Sequence, residues 1–437
     1  MEGFSKIIMN NEIIDISFDD DSKGETGSQK KIIDIEIEEH IEAKKNKFIN
    51  EIPEPEVHAI TESDIAGSVI NSYYRGNPAL TGRYNSDMEY PEGIGISFRK
   101  KFISLLKDEF LNGLLENNKY IAASSRDGNI YLTDRSTGVI KHKLSPANSV
   151  FEKTGVVIEN CFYINSVKSI YEVKSGYSDD KENISIREIY TASTDFFIWS
   201  NLNAKSGKIF FNVYNPSTGK AAFVSLDISD QTYYEYEFIV EKDLSDSICL
   251  AGDVFCFFYD NNLVKYTSEN NTEEISLNIN LNFSFPVLYL NFKLFCVSEL
   301  NEIYYCDLNE RSFVWKFTGI KADHVTSLIG CDDNLFIGTI SGWRSYKTSG
   351  TEIFSFEEDS EMKIECVSKN LLTASKGNKI IFYNLKRFTE AEGYITGTGN
   401  KETGEIKSAI ISFNNIFLLT AKGTLECYTA DNLNIHI

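Results

Sequence analysis

The chain has 437 residues, with 64 Asp and Glu against 43 Lys and Arg and a formal net charge of −21. So acidic a surface argues against sequence-independent nucleic-acid binding, which draws its affinity from basic side chains that displace counterions, and against docking on anionic membranes. No window is apolar enough for a membrane-spanning helix, and the opening MEGFSKIIMNNEIIDISFDDD lacks the apolar core and cleavage site of a signal peptide, so a cytoplasmic protein is expected.

Residues 1–90 stand apart as an acidic N-terminal extension. They hold 9 Lys/Arg and 19 Asp/Glu, while the other 347 residues hold 34 and 45. Pro53, Pro55, Pro78 and Pro91 mark the second half and border of this stretch as loop or linker. Residues 12–18 (EIIDISF) and 31–37 (KIIDIEI) repeat one alternating pattern, the two-residue period of a strand. Three readings fit: a hairpin with a long loop, a strand added to the edge of a neighbouring sheet, or a recognition tail. In the last, Ile14, Ile16 and Phe18 followed by Asp19, Asp20 and Asp21 would bind a partner by strand addition. A solvated, disordered leader fits equally. Residues 37–51 have the spacing for a helical turn or two.

From about residue 94 the pattern becomes regular. In the stretch 120–144, the apolar runs 120–123, 130–132 and 139–144 are separated by Asp127-Gly128 and Thr137-Gly138. Glycine supplies the left-handed backbone that tight hairpins need, so three antiparallel strands follow one another. Aligning later segments on the residue that opens the third strand gives Gly128, Lys168, Gly207, Asn262, Asn301, Gly342, Asn378 and Gly423. The intervals are 40, 39, 55, 39, 41, 36 and 45 residues. A period near 42 with several short strands per unit is the signature of a β-propeller, an all-β ring of four-stranded blades spanning 91–437. Eight markers give eight blades. The weak Lys168 unit and the 55-residue interval leave seven open. That interval holds the run YYEYEFIVEK, either a long blade edge or an insertion. Ring closure is expected from residues 432–437 or from the Ile-rich segments within 1–37.

The units resemble the repeats of the quinoprotein-dehydrogenase-like (PQQ-like) propellers. The resemblance rests on Ala122-Ala123-Ser124, Asp127-Gly128, Ile130-Tyr131-Leu132, Asp134 and Thr137-Gly138. It rests also on Ile303-Tyr304, Asp307 and Trp315, and on Gly342, Tyr346 and Ser349-Gly350. It covers residues 115–437 and implies fold more than function. The quinone-binding enzymes of the family are periplasmic, rich in Trp and carry a vicinal Cys-Cys pair, and its assembly-factor members are lipoproteins. This chain has 3 Trp, no Cys-Cys dipeptide and no lipid-attachment cysteine near residue 20. The resemblance therefore points to the cytosolic, cofactor-free kind that serves as an adaptor in bacterial multiprotein systems.

The chemistry-bearing residues are sparse. The eight cysteines lie mostly in apolar runs with no Cys-x-x-Cys spacing, which reads as buried, reduced thiols and not as a zinc site. The five histidines (His40, His58, His142, His324, His436) have no nucleophile paired with them in sequence, although Asp323 could orient His324. Asp332-Asp333-Asn334 reads as a turn before it reads as a cation site, and Gly397-x-Gly399 as a loop. Tyr234, Tyr236 and Phe238 share one strand face, a candidate partner patch or packing between blades. The expectation is a non-enzymatic scaffold whose partner is a protein with a basic surface, drawn by the field of the acidic chain. A propeller hydrolase or lyase, or a small-molecule site in the central channel, is the alternative.

Overall fold

The computed structural model describes residues 5–9, 12–16 and 97–431, apart from 148, 179–180, 268–270, 278, 310–313, 369–370, 378, 386–388, 397–403 and 413–414. Ser5–Met9 and Glu12–Ile16 form a two-stranded antiparallel hairpin in which Ile14 faces Ile7 and Ile16 faces Ser5. Phe18, Asp19, Asp20 and Asp21, the segment 31–37 and the proposed helical turn at 37–51 lie outside the described residues.

The remaining described residues contain no helix and form eight antiparallel sheets, the blades of a propeller. The first blade is built from Leu115–Glu116, Tyr120–Ser124, Ile130–Asp134 and Ile140–Leu144, ordered from the axis to the rim. Blades two to seven occupy 156–191, 197–239, 249–276, 288–321, 325–357 and 363–396. The eighth takes Ile406–Ser412, Asn415–Thr420 and Thr424–Asp431, and its rim strand is Ser97–Leu105, paired antiparallel to Thr424–Asp431. Closure therefore comes from neither expected segment. The closing strand runs on directly into the first blade, so eighth and first blades share the covalent link that joins every other pair.

Strand alternation explains the core. In Val254–Tyr259, Phe255, Phe257 and Tyr259 enter the cluster shared with the third blade, while Cys256 and Phe258 enter the cluster shared with the fifth. Both faces of an inner strand are covered, so such strands read as unbroken apolar runs. Eight hydrophobic clusters result, one at each seam between neighbouring blades. The eight cysteines sit in these seams or beside them, all buried and none in a disulfide. Burial pushes the Cys256 and Cys427 thiols up to about 12, which keeps them protonated and unreactive.

Among the described turn markers six hold and one shifts, and Asn378 lies outside the described residues. Gly128, Gly342 and Gly423 have φ of +85°, +117° and +80°, and Asn301 has +59°, each opening a third strand. Gly207 (φ +74°) instead joins the first and second strands of the third blade, Asn203–Lys205 and Lys208–Tyr214. The equivalent turn there ends at Gly219 (φ +72°), before Lys220–Asp227. Moving the marker turns the intervals of 39 and 55 residues into 51 and 43. The extra length belongs to the second blade, whose outer hairpin has strands of 10 and 11 residues, Ser169–Ser178 and Lys181–Thr191. Lys168, the one marker that is neither Gly nor Asn, reaches into the following connection. Its ammonium donates to the carbonyls of Thr194 at 2.6 Å and Phe196 at 2.5 Å.

Candidate functional site

The beginnings of the eight innermost strands converge on the propeller axis. An innermost strand has a sheet neighbour on one side only, so half of its backbone groups need partners elsewhere. Side chains of the adjoining blade supply them. Thr154 Oγ1 accepts from the Gly113 amide at 2.8 Å, and Asn201 Oδ1 accepts from the Thr154 amide at 2.8 Å. Asn203 Nδ2 donates to the Ile248 carbonyl at 2.7 Å, Ser327 Oγ accepts from the Ile364 amide at 2.7 Å, and Ser408 Oγ accepts from the Leu114 amide at 3.1 Å. Polar residues ring the axis because they stitch the blades together.

Within this ring lies a cavity of about 340 Å³ lined by every blade, Asn112, Lys153, Asn201, Asp246, Thr326 and Lys407 among others. Its charges are paired: Lys153 with Asp246 at 3.0 Å, Lys363 with Glu365 at 3.2 Å, and Lys407 with Glu405. Exposed apolar side chains from separate blades lie at the end of the ring where the innermost strands begin: Leu111 in the cavity lining, Trp199 near Lys153, and Leu300 and Ile340 in the turns between second and third strands. Trp315 and Trp343 are buried, whereas Trp199 is 36% exposed. Its ring meets Tyr214 edge-on at 5.2 Å, its indole N–H donates to the Leu244 carbonyl at 2.8 Å, and the Lys153 ammonium lies 5.9 Å from its centroid. Acidic residues at this end also serve the fold. The Asp260 carboxylate accepts the amides of Glu241, Lys242 and Asp243 at 2.7–3.0 Å, fixing the connection between third and fourth blades.

The other candidates fall as follows. Tyr234, Tyr236 and Phe238 lie on the rim strand Tyr233–Ile239 of the third blade and turn towards the fourth. Phe238 is buried against Phe257 and Tyr259 at centroid distances of 5.4 and 4.6 Å, and the Tyr236 hydroxyl donates to Glu274 at 3.1 Å. Asp332 and Asp333 form the two-residue turn between Val325–Cys331 and Asn334–Thr339, with Asp332 at φ +54° and Asp333 accepting the Thr348 hydroxyl. Among the described residues no group of three or more His, Cys, Asp or Glu is placed to hold a metal ion. His142 packs edge-on against Tyr120, with centroids 6.0 Å apart, and Asp323-His324 is an exposed loop pair. His40, His58, His436 and Gly397-x-Gly399 lie outside the described residues. Missing from the sequence reading were Trp199 and the mouth residues Leu111, Leu300 and Ile340. Their only local signal was an apolar residue beside or between turn residues, as in Glu299-Leu300-Asn301.

No protein-family model matches the chain, and no curated protein matches it. Solved structures do. BamB from Moraxella catarrhalis is similar with a TM-score of 0.56 at 10% identity, over 76% of this chain and 99% of that one. The computationally designed protein Ika8 is similar with a TM-score of 0.52 at 12% identity, over 75% and 98%. At such identities the likeness is one of fold: this chain is an eight-bladed propeller of BamB-like architecture.

Proposed function

We propose that this chain is a non-enzymatic interaction scaffold, one component of a cytoplasmic multiprotein system, and that it receives a protein partner on the channel-mouth end of the ring. The observation that carries this reading is the set of exposed apolar side chains, Leu111, Trp199, Leu300 and Ile340, contributed by separate blades at the end of the ring where the innermost strands begin. Exposed Trp and large aliphatic residues on a rigid frame are the raw material of binding hot spots. The net charge of −21 favours a partner with a basic contact surface. The eight buried cysteines, none in a disulfide, support a reducing compartment.

The test is affinity retrieval from native lysate with the full chain and with a Leu300→Asp/Ile340→Asp variant, at low and high salt. A stoichiometric protein held by the wild type and lost in the variant supports the scaffold. Equal retention by both chains moves the docking face elsewhere. The alternative, a small molecule or a catalytic site in the channel, draws on the 340 Å³ cavity. It would announce itself as a saturable thermal shift with a small molecule, abolished by Asp246→Asn.

A further inference from the structure

The rim strand Tyr233–Ile239 has two unlike faces. One face, Tyr234, Tyr236 and Phe238, is taken up by the fourth blade. The other presents Tyr233, Glu235, Glu237 and Ile239, with Tyr233 and Ile239 each 56% exposed. In the sheet register Glu235 stands opposite Val224 and Glu237 opposite Ala222, so neither carboxylate has a cation directly across from it, and Lys220 stands opposite Ile239. Other rim strands differ. On the fourth blade Glu273 pairs with Lys265 at 2.7 Å, and Glu274 accepts the hydroxyls of Tyr236 and Tyr259. On the second blade Arg187 pairs with Glu172 at 2.8 Å, and on the fifth Lys321 pairs with Glu302 at 3.1 Å. Among the described residues no ion pair reaches Glu235 or Glu237. Burial, reinforced by the neighbouring Glu237 charge, raises the Glu235 carboxyl above its ordinary value, as expected for an uncompensated pair of like charges.

The strand is outermost in its sheet, so one full edge of backbone N–H and C=O groups is unused within the blade. Seven residues give that edge a length of roughly 23 Å. Charged side chains ordinarily blunt such an edge. Here the two charges have one sign, form no ion pair among the described residues and are bracketed by two large exposed apolar side chains, a pattern that selects what may pair with it. We propose that Tyr233–Ile239 is a docking edge for an extended basic segment of a partner protein. That segment adds to the third blade as a further strand. On one face it carries, at alternate positions, an apolar residue, two Lys or Arg, and a second apolar residue, to meet Tyr233, Glu235, Glu237 and Ile239. Strand addition draws affinity from main-chain hydrogen bonds and specificity from alternate side chains. Opposite charges directly across a strand pair are favourable.

This inference shares with the scaffold reading only the idea of a protein partner, and it concerns a different surface. The probe is the fluorescein-labelled heptapeptide Ile-Ser-Arg-Ser-Arg-Ser-Ile. The control is its isomer Ile-Arg-Ser-Ser-Ser-Arg-Ile, of equal charge and composition but with both arginines on the opposite strand face. Fluorescence anisotropy with the full chain is expected to show saturable binding of the probe about tenfold tighter than the isomer, and about tenfold weakening by Glu235→Gln/Glu237→Gln. Hydrogen exchange should slow at 233–239 on binding. Equal affinity for the two isomers, indifference to the double substitution, or no saturation overturns the proposal. Leu300→Asp/Ile340→Asp should leave peptide binding unchanged, so a failure at the rim is distinct from a failure at the channel mouth.

Discussion

Two rim strands occupy equivalent places in their blades and are held there by different means. Tyr233–Ile239 follows its neighbour Lys220–Asp227 through a short turn, and the covalent link sets the register. On its open face it carries carboxylates that form no ion pair among the described residues, without losing its place. Ser97–Leu105 pairs with Thr424–Asp431 from the far end of the chain, and no turn joins them. Here the register is fixed by specific contacts. Lys100 reaches Glu426, 326 positions away, at 3.1 Å, and Glu426 in turn accepts the Tyr428 hydroxyl at 2.7 Å. Phe98 stacks on Phe382 of the seventh blade at 4.2 Å, and the Ser104 hydroxyl donates to the Gly138 carbonyl of the first at 2.5 Å. The following residues continue the lock: the Leu106 amide donates to the Gly423 carbonyl at 2.7 Å and the Phe110 amide to the Ala421 carbonyl at 2.8 Å. At Gly423 (φ +80°) a Cβ would stand 2.8 Å from the Phe110 ring. A local strand leaves its outward residues free for other tasks, whereas a closing strand needs them to recognise its place.

The largest effect expected from breaking this contrast is at Leu106, 3% exposed in the cluster between eighth and first blades. Leu106→Ala should cost about 3 kcal/mol in urea unfolding. Hydrogen exchange should then show loss of protection in both Ser97–Leu105 and Thr424–Asp431, because the pair has no turn to hold it. Equal destabilisation with protection intact would mean that closure does not depend on this lock.

A smaller effect is expected at Lys100. Burial alone would lower its pKa, but the hydrogen bonds and charge of Tyr428 and Glu426 outweigh it, and the net shift is upward. A raised lysine pKa contributes stability that is fully present below the unfolded value and is lost as pH rises through the folded one. Lys100→Met should therefore lower the thermal midpoint at pH 8, and the gap between variant and wild type should shrink towards pH 11. A gap independent of pH would assign the loss to packing of the aliphatic stem.

The smallest effect separates the two strands most cleanly. Glu235→Gln should stabilise the chain slightly at pH 7, by a few tenths of a kcal/mol, since it relieves the partial burial of a carboxylate beside the like charge of Glu237. Because the folded carboxyl is raised, this gain should vanish as pH falls below the unfolded value, where the wild-type carboxyl is protonated in both states. A destabilisation at pH 7 would reveal a cation paired with Glu235 and remove the ground for a docking edge there.

Much of the ring was legible because its signals are local. Six of the seven described turn markers fell at third strands, and four of them, Gly128, Asn301, Gly342 and Gly423, sit in the left-handed region that only a few residue types suit. Gly207 misled for the same reason: the first and second hairpins of the third blade both use glycine, and turn chemistry does not say which strands a turn joins. The run YYEYEFIVEK was legible as a strand of alternating faces. Which face was open was not, because Tyr234, Tyr236 and Phe238 are covered by aromatic residues of the fourth blade that lie beyond any local window. The channel mouth was hidden too. Its residues come from eight separate connections, and nothing in their individual sequences records that they meet.

By itself the sequence determined the all-β class, the period near 42 and the burial of the cysteines, because side-chain alternation and turn preference act over a few residues. The tertiary structure decided the number of blades, the identity of the closing strand and the side of each rim strand that meets solvent. Those depend on which surfaces remain uncovered when the two ends of the propeller meet, as Lys100 and Glu426 do across 326 positions. Contacts at that separation are set by the closing of the whole ring.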